Sequence, residues 1–138
     1  MTADRRAITA SGAPPAIGPY SHAVQVDGLL FCSGQIPLDP STGELVGATA
    51  PEQARRCLEN LGAVCEAAGA TLAQAVRVAV YMTDLREFAA VNEVYGSFFA
   101  GEEPPARVTV GVAQLPKGAQ VEIEAVVALG QDGPTGGP

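Results

Sequence analysis

The sequence predicts an α+β domain with a mixed β-sheet and two helices on one face of that sheet. Two apolar runs are joined by an Asp-Gly pair, which is typical of a β-hairpin. Two segments repeat apolar residues with helical spacing, and in further segments apolar and polar residues alternate as they do in strands. The predicted order is hairpin, helix, strand, helix, strand, strand. No linker or internal repeat divides the chain. We therefore expect one domain over residues 1–138, with its core at about 7–129 and a disordered tail at 130–138.

The first predicted elements are strands. A short strand is expected around Ile8, and after a loop rich in Gly and Pro come two apolar runs, Ser21–Val26 and Leu29–Ile36. Asp27 and Gly28 separate these two runs, and this pair favours a type I′ turn, in which both central residues need positive φ. The two runs are therefore predicted to form a β-hairpin.

The first helix is predicted to begin after Thr49. Thr49 can cap the helix, Pro51 suits its first turn, and Glu52 completes a capping box. Gly69 is a natural end. Residues with helical spacing form one apolar stripe between these signals: Ala54, Cys57, Leu58, Leu61, Val64, Cys65 and Ala68.

A strand and a second helix follow. Residues 75–82 alternate as a strand does, with Val76, Val78, Val80 and Met82 expected on one face. Asp84 and Glu87 are expected to open the second helix. The apolar face of this helix is predicted to consist of Phe88, Val91, Asn92, Tyr95, Phe98 and Phe99.

The last two predicted strands carry the charged residues of greatest interest. Arg107 is expected to share a strand face with Thr109 and Gly111, because residues two apart point the same way. Glu122 and Glu124 share a face of the last strand. The opposite, valine-bearing faces are expected to pack on the core: Val108, Val110 and Val112 in one strand, and Val121, Ile123, Ala125 and Val127 in the other.

Arg107 and Glu122 together suit a small anionic substrate that is attacked by water. A guanidinium can bind a carboxylate through two parallel hydrogen bonds, and a glutamate can accept and return a proton. The alternatives are a structural ion pair of Arg107 with Glu122 or Glu124, or charges on a solvated sheet face. The sequence alone does not decide which of the two glutamates meets a pocket.

Composition predicts a second subunit. Charged residues make up only 17% of the chain and hydrophobic residues 47%. The run Leu29–Ile36 is apolar on both faces, whereas two helices can cover only one face of a sheet. We therefore expect a homo-oligomer with sites at the subunit boundaries. Gly34 and Gly111 are positions where a missing side chain permits close approach of a ligand or a second chain.

Several classes of protein are not expected. The net charge is −7, and the eight basic residues form no run, so a dedicated nucleic-acid surface is not predicted. No apolar stretch has the length of a signal peptide or membrane span, which favours a soluble cytoplasmic protein. Cys32, Cys57 and Cys65 lack metal-binding or disulfide spacing and are predicted to be buried apolar residues. The single histidine, His22, is predicted to be an unremarkable strand residue, since no triad can be assembled around it.

Several motifs occur together in one order along residues 7–129. They are Ala16-Ile17-Gly18-Pro19-Tyr20-Ser21, Ser33-Gly34-Gln35-Ile36-Pro37, Asn92 with Tyr95 and Phe98-Phe99, Pro105-Ala106-Arg107, Leu115-Pro116-Lys117, and Val121-Glu122-Ile123-Glu124-Ala125. In these motifs the chain resembles the archetypal branch of the Rid family, also called the YjgF/YER057c/UK114 family, of reactive imine and enamine deaminases.

The resemblance implies a chorismate-mutase-like fold, a trimer, and active sites in the clefts between subunits. It also implies hydrolysis of 2-iminopropanoate and 2-iminobutanoate to 2-keto acids and ammonia, without a metal or organic cofactor. Arg107 matches the arginine that holds the substrate carboxylate, and Glu122 matches the glutamate that activates water. The positions that line the pocket are matched by Tyr20, Ser33 and Asn92.

One position departs from the family pattern. Many archetypal members carry a cysteine two residues after the arginine, where this chain has Thr109. A hydroxyl can still form a hydrogen bond there, so substrate preference is more open than the type of reaction. Three alternatives remain: a non-catalytic trimer that senses small carboxylates, a deaminase for a larger pathway intermediate, and the ribonuclease activity attributed to some relatives.

Overall fold

A single mixed sheet organises residues 4–101 and 103–130, which the computed structural model describes. The six strands found there are Arg6–Ile8 (β1), Ala23–Val26 (β2), Leu29–Gln35 (β3), Ala75–Met82 (β4), Ala106–Gly111 (β5) and Val121–Ala128 (β6). Their spatial order is β1-β2-β3-β6-β4-β5. β4 and β5 run parallel and the other neighbouring pairs are antiparallel. The last strand thus lies in the middle of the sheet.

Two helices, Ala50–Ala67 (α1) and Phe88–Phe98 (α2), cover one face of this sheet. Their buried residues form one apolar core with the residues of β3, β4 and β6 that point the same way. Short 3₁₀ turns precede β4, α2 and β6 at Leu72–Gln74, Leu85–Glu87 and Pro116–Gly118. The predicted α+β class, with two helices on one face, is confirmed. The predicted tail at 130–138 lies outside the described residues except for Gly130.

Local signals placed the hairpin and α1 correctly. Val26 pairs with Leu29, so Asp27 and Gly28 form a two-residue turn, with φ of 48° and 79°. The Thr49 side chain accepts a hydrogen bond from the Glu52 backbone N–H, and the Glu52 carboxylate accepts one from the Thr49 N–H. These are the two bonds of the predicted capping box.

The predicted face of β4 is wrong at one residue, Val76. Ala75 pairs with Val127 and Arg77 pairs with Val126, so Val76 is an extra residue in a β-bulge. The bulge turns Val76 away from the core, and it is 45% exposed. The other three predicted residues of this face are fully buried: Val78, Val80 and Met82.

The prediction for β5 is also wrong, because its valines do not face the core. Arg107 pairs directly with Val78 of β4, whose side chain is buried beneath the helices. Arg107 therefore lies on the helix-covered face, as does Thr109. Val108 and Val110 point to the opposite, open face and are each 38% exposed.

The prediction for β6 is correct. Its apolar residues Val121 and Ile123 are buried on the helix-covered face. Glu122 pairs with Tyr81 and Glu124 pairs with Ala79, so both glutamates lie on the open face. Phe31 of β3 also points to this face and is 46% exposed. The open face of a single chain therefore combines two carboxylates with exposed apolar side chains.

The prediction that His22 is an unremarkable strand residue is wrong. His22 is buried just before β2, and its ring binds the backbone of the preceding loop. Its Nδ1 accepts a hydrogen bond from the Ala10 N–H at 2.8 Å. Its Nε2 donates to the Pro14 carbonyl, also at 2.8 Å. A backbone N–H can only donate and a carbonyl can only accept, so these bonds require the neutral ring with its proton on Nε2.

The three cysteines are buried, as predicted. Cys57 donates from Sγ to the Val121 carbonyl at 3.5 Å, which joins α1 to β6. Burial raises the pKa of the Cys57 thiol. Among the described residues, no helix is long and apolar enough to cross a membrane.

Candidate active site

The predicted site residues fall into two clefts on opposite sides of the sheet. Tyr20, Ser33 and Glu122 line a cleft of about 440 Å³ on the open face, which we call the carboxylate cleft. Asn92 and Arg107 line a cleft of about 400 Å³ between α2 and the start of β5, which we call the arginine cleft. The structure therefore brings the predicted residues together as two sets.

The carboxylate cleft depends on an irregularity in β3. Cys32 pairs with Ala125 and Gln35 pairs with Ile123, so the ladder is interrupted at Ser33 and Gly34. The Glu122 carboxylate lies against Gly34, in the space that a Cβ on Gly34 would occupy. Gly34 does permit close approach, as predicted, but the group that approaches is a side chain of the same molecule.

The two glutamates of β6 differ in their surroundings. The Tyr81 hydroxyl donates a hydrogen bond of 2.8 Å to Oε2 of Glu124. Among the described residues, none donates a hydrogen bond to the Glu122 carboxylate. Glu124 is therefore committed to a structural partner, whereas Glu122 is free to contact a ligand or a water molecule.

Burial is the main influence on the Glu122 carboxyl. It raises the pKa of Glu122 above the usual glutamate value, and the nearby Glu124 charge raises it further. A raised pKa makes the ionised carboxylate a stronger base. Of the two glutamates, Glu122 therefore suits proton abstraction better. This favours Glu122 over Glu124, a question that the sequence left open.

Tyr20 and Ser33 lie beside Glu122 in the carboxylate cleft. The Tyr20 hydroxyl accepts a hydrogen bond of 3.2 Å from the Ile17 N–H, which closes a small loop at the rim. The Ser33 hydroxyl donates to the Ser21 carbonyl at 2.6 Å. Because its proton is engaged there, Ser33 can offer lone pairs to a ligand but no proton.

The arginine cleft holds Arg107 in a defined orientation. Its guanidinium lies over the Tyr95 ring, 4.7 Å from the centroid, and 5.6 Å from the centroid of Phe88. Nη1 donates to Oδ1 of Asn92 at 2.7 Å. Asn92, which the sequence pattern places on the apolar face of α2, is exposed, and its oxygen meets Arg107 at the rim.

Arg107 makes no ion pair within the described part of the chain. The ion pairs found there are Arg56 with Glu59 and Arg86 with Asp84. A structural pairing of Arg107 with Glu122 or Glu124 in the same chain is therefore absent. The remaining N–H groups of the guanidinium are available for a carboxylate ligand.

Two hydroxyls on the Arg107 side of the sheet lack partners. Thr109 Oγ1 is buried and, among the described residues, has no hydrogen-bond partner. The Tyr95 hydroxyl is also buried and, among the described residues, has no hydrogen-bond partner. Burial raises the pKa of the Tyr95 phenol. Unpaired buried hydroxyls are costly, and the described part of the single chain supplies no partner for these two.

Sequence patterns assign no site role to some residues that contact the candidate site residues. Phe88 and Tyr95 were expected only as apolar helix residues, yet their rings orient Arg107. Tyr81 was not singled out, because its contact with Glu124 joins strands far apart in sequence. One signal could have indicated the contacts of Arg107 with these two rings. Phe88, Asn92 and Tyr95 are spaced so that they share one face of α2, and an arginine follows on the next strand.

The two clefts carry different charged groups. The carboxylate cleft has a candidate base, Glu122, and contains no arginine or lysine side chain among its described lining residues. The arginine cleft has a cation, Arg107, and no carboxylate among its described lining residues. No group of three or more His, Cys, Asp or Glu side chains in the described ranges could hold a metal ion.

The chain is similar to several known proteins. A protein-family model described as Endoribonuclease L-PSP matches residues 10–129. A RutC family protein of Sinorhizobium fredii is 52% identical over 122 residues, which cover 88% of this chain and 96% of that protein. The 2-iminobutanoate/2-iminopropanoate deaminase of Mus musculus is 46% identical over 126 residues, 91% of this chain and 93% of that protein.

Solved structures show the same fold. A Rid family protein of unknown function from Yersinia pestis has a TM-score of 0.88 and 42% identity, and the match covers 91% of this chain and 100% of that chain. The structure of E. coli TdcF with bound serine has a TM-score of 0.84 and 43% identity, with 89% and 98% of the two chains covered.

Proposed function

The chain belongs to the Rid family, whose model carries the description Endoribonuclease L-PSP, and on that premise we propose that it hydrolyses 2-iminopropanoate and 2-iminobutanoate to 2-keto acids and ammonia. The mouse relative at 46% identity carries the name of this activity. E. coli TdcF binds serine, a small molecule with the carboxylate and α-nitrogen that such substrates share. The exposed and oriented guanidinium of Arg107 supports binding of that carboxylate.

We further propose that the active site is assembled from two chains of a homotrimer. One observation carries this proposal: Arg107 and Glu122 lie on opposite faces of the same sheet. A small substrate cannot reach both residues within one chain, whereas a second copy packed on the open face can bring its Arg107 to Glu122. The exposed side chains of Phe31, Val108 and Val110 favour such packing.

In the proposed mechanism, Arg107 orients the substrate and Glu122 handles the proton. Arg107 binds the carboxylate, and orientation of this kind can lower a barrier by about 7 kcal/mol in favourable cases. Glu122 takes a proton from water as the oxygen attacks C2 of the iminium. Glu122 gives this proton to the nitrogen of the tetrahedral carbinolamine. The C–N bond then breaks as the carbinolamine hydroxyl transfers its proton to the ionised Glu122, and ammonia and the 2-keto acid leave. Ser33 Oγ, whose lone pairs are free, can accept a hydrogen bond from the iminium N–H.

A coupled assay tests the reaction. An amino-acid oxidase or a PLP-dependent dehydratase generates the imine, and release of the 2-keto acid is followed with and without this protein. We expect release above the spontaneous rate with the wild-type chain and the spontaneous rate with Arg107→Ala. If the wild type binds 2-keto acids and does not accelerate release, the carboxylate-sensing alternative replaces the enzyme. A larger imine hydrolysed in preference to these two would indicate a pathway-specific enzyme.

Mixed oligomers test the two-chain site. Arg107→Ala and Glu122→Gln chains, each inactive alone, are co-expressed with different tags and the mixed species is purified. If each site takes its arginine and its glutamate from different chains, every purified mixed trimer has one intact site of its three and regains about a third of the wild-type activity. If both residues came from one chain, no mixed oligomer would regain activity.

The family description raises ribonuclease activity as a second candidate. Two observations weigh against it. The net charge of −7 does not favour phosphate binding, and His22, the single histidine, is buried with both ring nitrogens engaged. RNA cleavage that persists in Arg107→Ala after removal of contaminating nucleases would support it. The cytoplasmic location expected from the sequence remains a prediction.

A further inference from the structure

Tyr81 and Glu124 lie beside Glu122 on the open face of the sheet. Tyr81 of β4 pairs directly with Glu122 of β6, but its hydroxyl reaches past that residue to Glu124 at 2.8 Å. Glu124 is two residues from Glu122 on the same strand, so the two carboxylates point the same way. The hydrogen bond holds the Glu124 side chain in one place, and its effect on Tyr81 is to raise the pKa of the phenol.

A fixed carboxylate at this position acts on Glu122 through its charge. A second negative charge nearby disfavours ionisation of Glu122, in the same direction as the burial of that side chain. Other groups also face this area. Tyr81 and Arg77 project from β4 and Tyr20 from the loop before β2, and in the proposed assembly Arg107 of a second copy approaches as well.

The approaching cation makes the role of Glu124 clearer. The Arg107 guanidinium would stabilise the ionised form of Glu122 and so weaken it as a base. A second carboxylate held close to Glu122 opposes that effect. The hydrogen bond from the Tyr81 hydroxyl holds the Glu124 carboxylate in the position where it does so.

We propose that Tyr81 and Glu124 are positioning residues, which fix a negative charge next to Glu122 and so make Glu122 a stronger base towards water. This proposal rests on the proposed function for its catalytic meaning. Its physical content, that Glu124 controls the ionisation of Glu122, can be measured without any turnover.

The kinetic test compares three variants. Glu124→Gln keeps an oxygen that can accept the Tyr81 hydrogen bond and removes the charge. Tyr81→Phe keeps the ring and removes the donor. Glu66→Gln, on the exposed end of α1, removes one negative charge from the helix side of the molecule and serves as the control. The measurement is kcat and KM for imine hydrolysis as a function of pH.

We expect the acidic limb of the pH profile to move to lower pH in Glu124→Gln, with a reduced kcat near neutral pH and an unchanged KM. Tyr81→Phe should move the limb in the same direction by a smaller amount, because Glu124 keeps its charge but loses its fixed position. Glu66→Gln should superimpose on the wild type. A Glu124→Gln protein whose limb coincides with that of the wild type overturns the proposal, even if its thermal stability is lower.

A direct titration separates this proposal from the proposed function. The Glu122 carboxyl is followed by ¹³C NMR in glutamate-labelled protein, with its signal assigned by its loss in Glu122→Gln. The proposal requires Glu122 to titrate at lower pH in Glu124→Gln than in the wild type, whether or not the protein hydrolyses imines. An unchanged Glu122 titration overturns it, whereas a wild type that lacks turnover but shows the expected shift overturns the proposed function alone.

Discussion

Arg107 is the residue whose loss should have the greatest effect on the proposed reaction. Arg107→Ala removes a charge-assisted contact to the substrate, which corresponds to about 2–5 kcal/mol, so kcat/KM should fall by a factor of roughly 30 to 5,000. Arg107→Lys should restore little, because an ammonium cannot form two parallel hydrogen bonds or stack in the same way on Tyr95. Steady-state kinetics on variants with wild-type thermal unfolding provides the measurement. A folded Arg107→Ala protein with normal turnover would remove Arg107 from the mechanism.

Glu122 should control the pH dependence of turnover. Its pKa is raised above the usual value of about 4.3, mainly by burial, and a base works only in its ionised form. The kcat/KM of the wild type should therefore decline as the pH falls through a value above 4.3. Glu122→Gln should lower kcat by a factor on the order of 10² and leave binding of a 2-keto acid nearly unchanged. Loss of binding together with turnover would instead indicate a structural role.

Gly34 is the residue whose side chain must be absent for Glu122 to occupy its cleft. In Gly34→Ala the new methyl group would overlap the Glu122 carboxylate and displace it. Turnover should fall by a factor on the order of 10 or more, since small displacements of a reacting group are costly. Gly62→Ala is the matched control, because a Cβ on Gly62 meets nothing within 4 Å and alanine favours the helix. Equal activity of the two variants would mean that the position of Glu122 is unimportant.

At the scale of single elements, what the sequence predicts depends on whether the cause is local. The Asp27-Gly28 turn and the Thr49 cap were correct because turn and cap preferences act over a few residues. The exposure of Val76 was missed because a bulge is set by the register with β6, a strand about 50 residues away. The face of β5 was reversed for a similar reason: its pairing with β4, and not its own valine pattern, decides which side meets the helices.

The loop between β1 and β2 depends on a long-range anchor that no local pattern indicates. His22 binds the Ala10 N–H and the Pro14 carbonyl, both in buried surroundings. His22→Ala leaves both backbone groups without this partner, so we expect the free energy of unfolding to fall by about 2–4 kcal/mol. Denaturant unfolding at a fixed protein concentration measures the difference. Because the same loop leads to Tyr20, turnover should also fall; a variant with wild-type stability would show that the anchor is dispensable.

At the scale of the whole molecule, the topology determines what the site residues can do. β6 is inserted between β3 and β4, which brings Glu122 next to Gly34 and Ser33. The parallel pairing of β5 sends Arg107 to the other face. The motifs identified the residues of both clefts, but their separation into two sets could not be predicted, since it follows from strand order and register. That separation is what makes a second chain necessary for the proposed reaction.

The open face of the sheet is expected to be buried between copies of the chain. Val108 points to this face from the edge strand β5 and is partly exposed in the single chain. Val108→Asp would place a charge in the proposed interface, where an unpaired charge is strongly unfavourable. We expect a trimer mass for the wild type by light scattering at micromolar concentration, and a monomer mass with loss of turnover for Val108→Asp.

Glu66→Lys, on the exposed end of α1, is the control for this experiment and should remain a trimer with normal activity. Mass, turnover and the circular dichroism spectrum of Val108→Asp together distinguish a loss of assembly from a loss of folding. If mass and turnover fall together while the circular dichroism spectrum stays that of the wild type, the chain is folded but inactive because it lacks a second subunit. A monomeric Val108→Asp protein with full turnover would mean that one chain holds a complete site, which contradicts the placement of Arg107 and Glu122 on opposite faces as the reason for assembly.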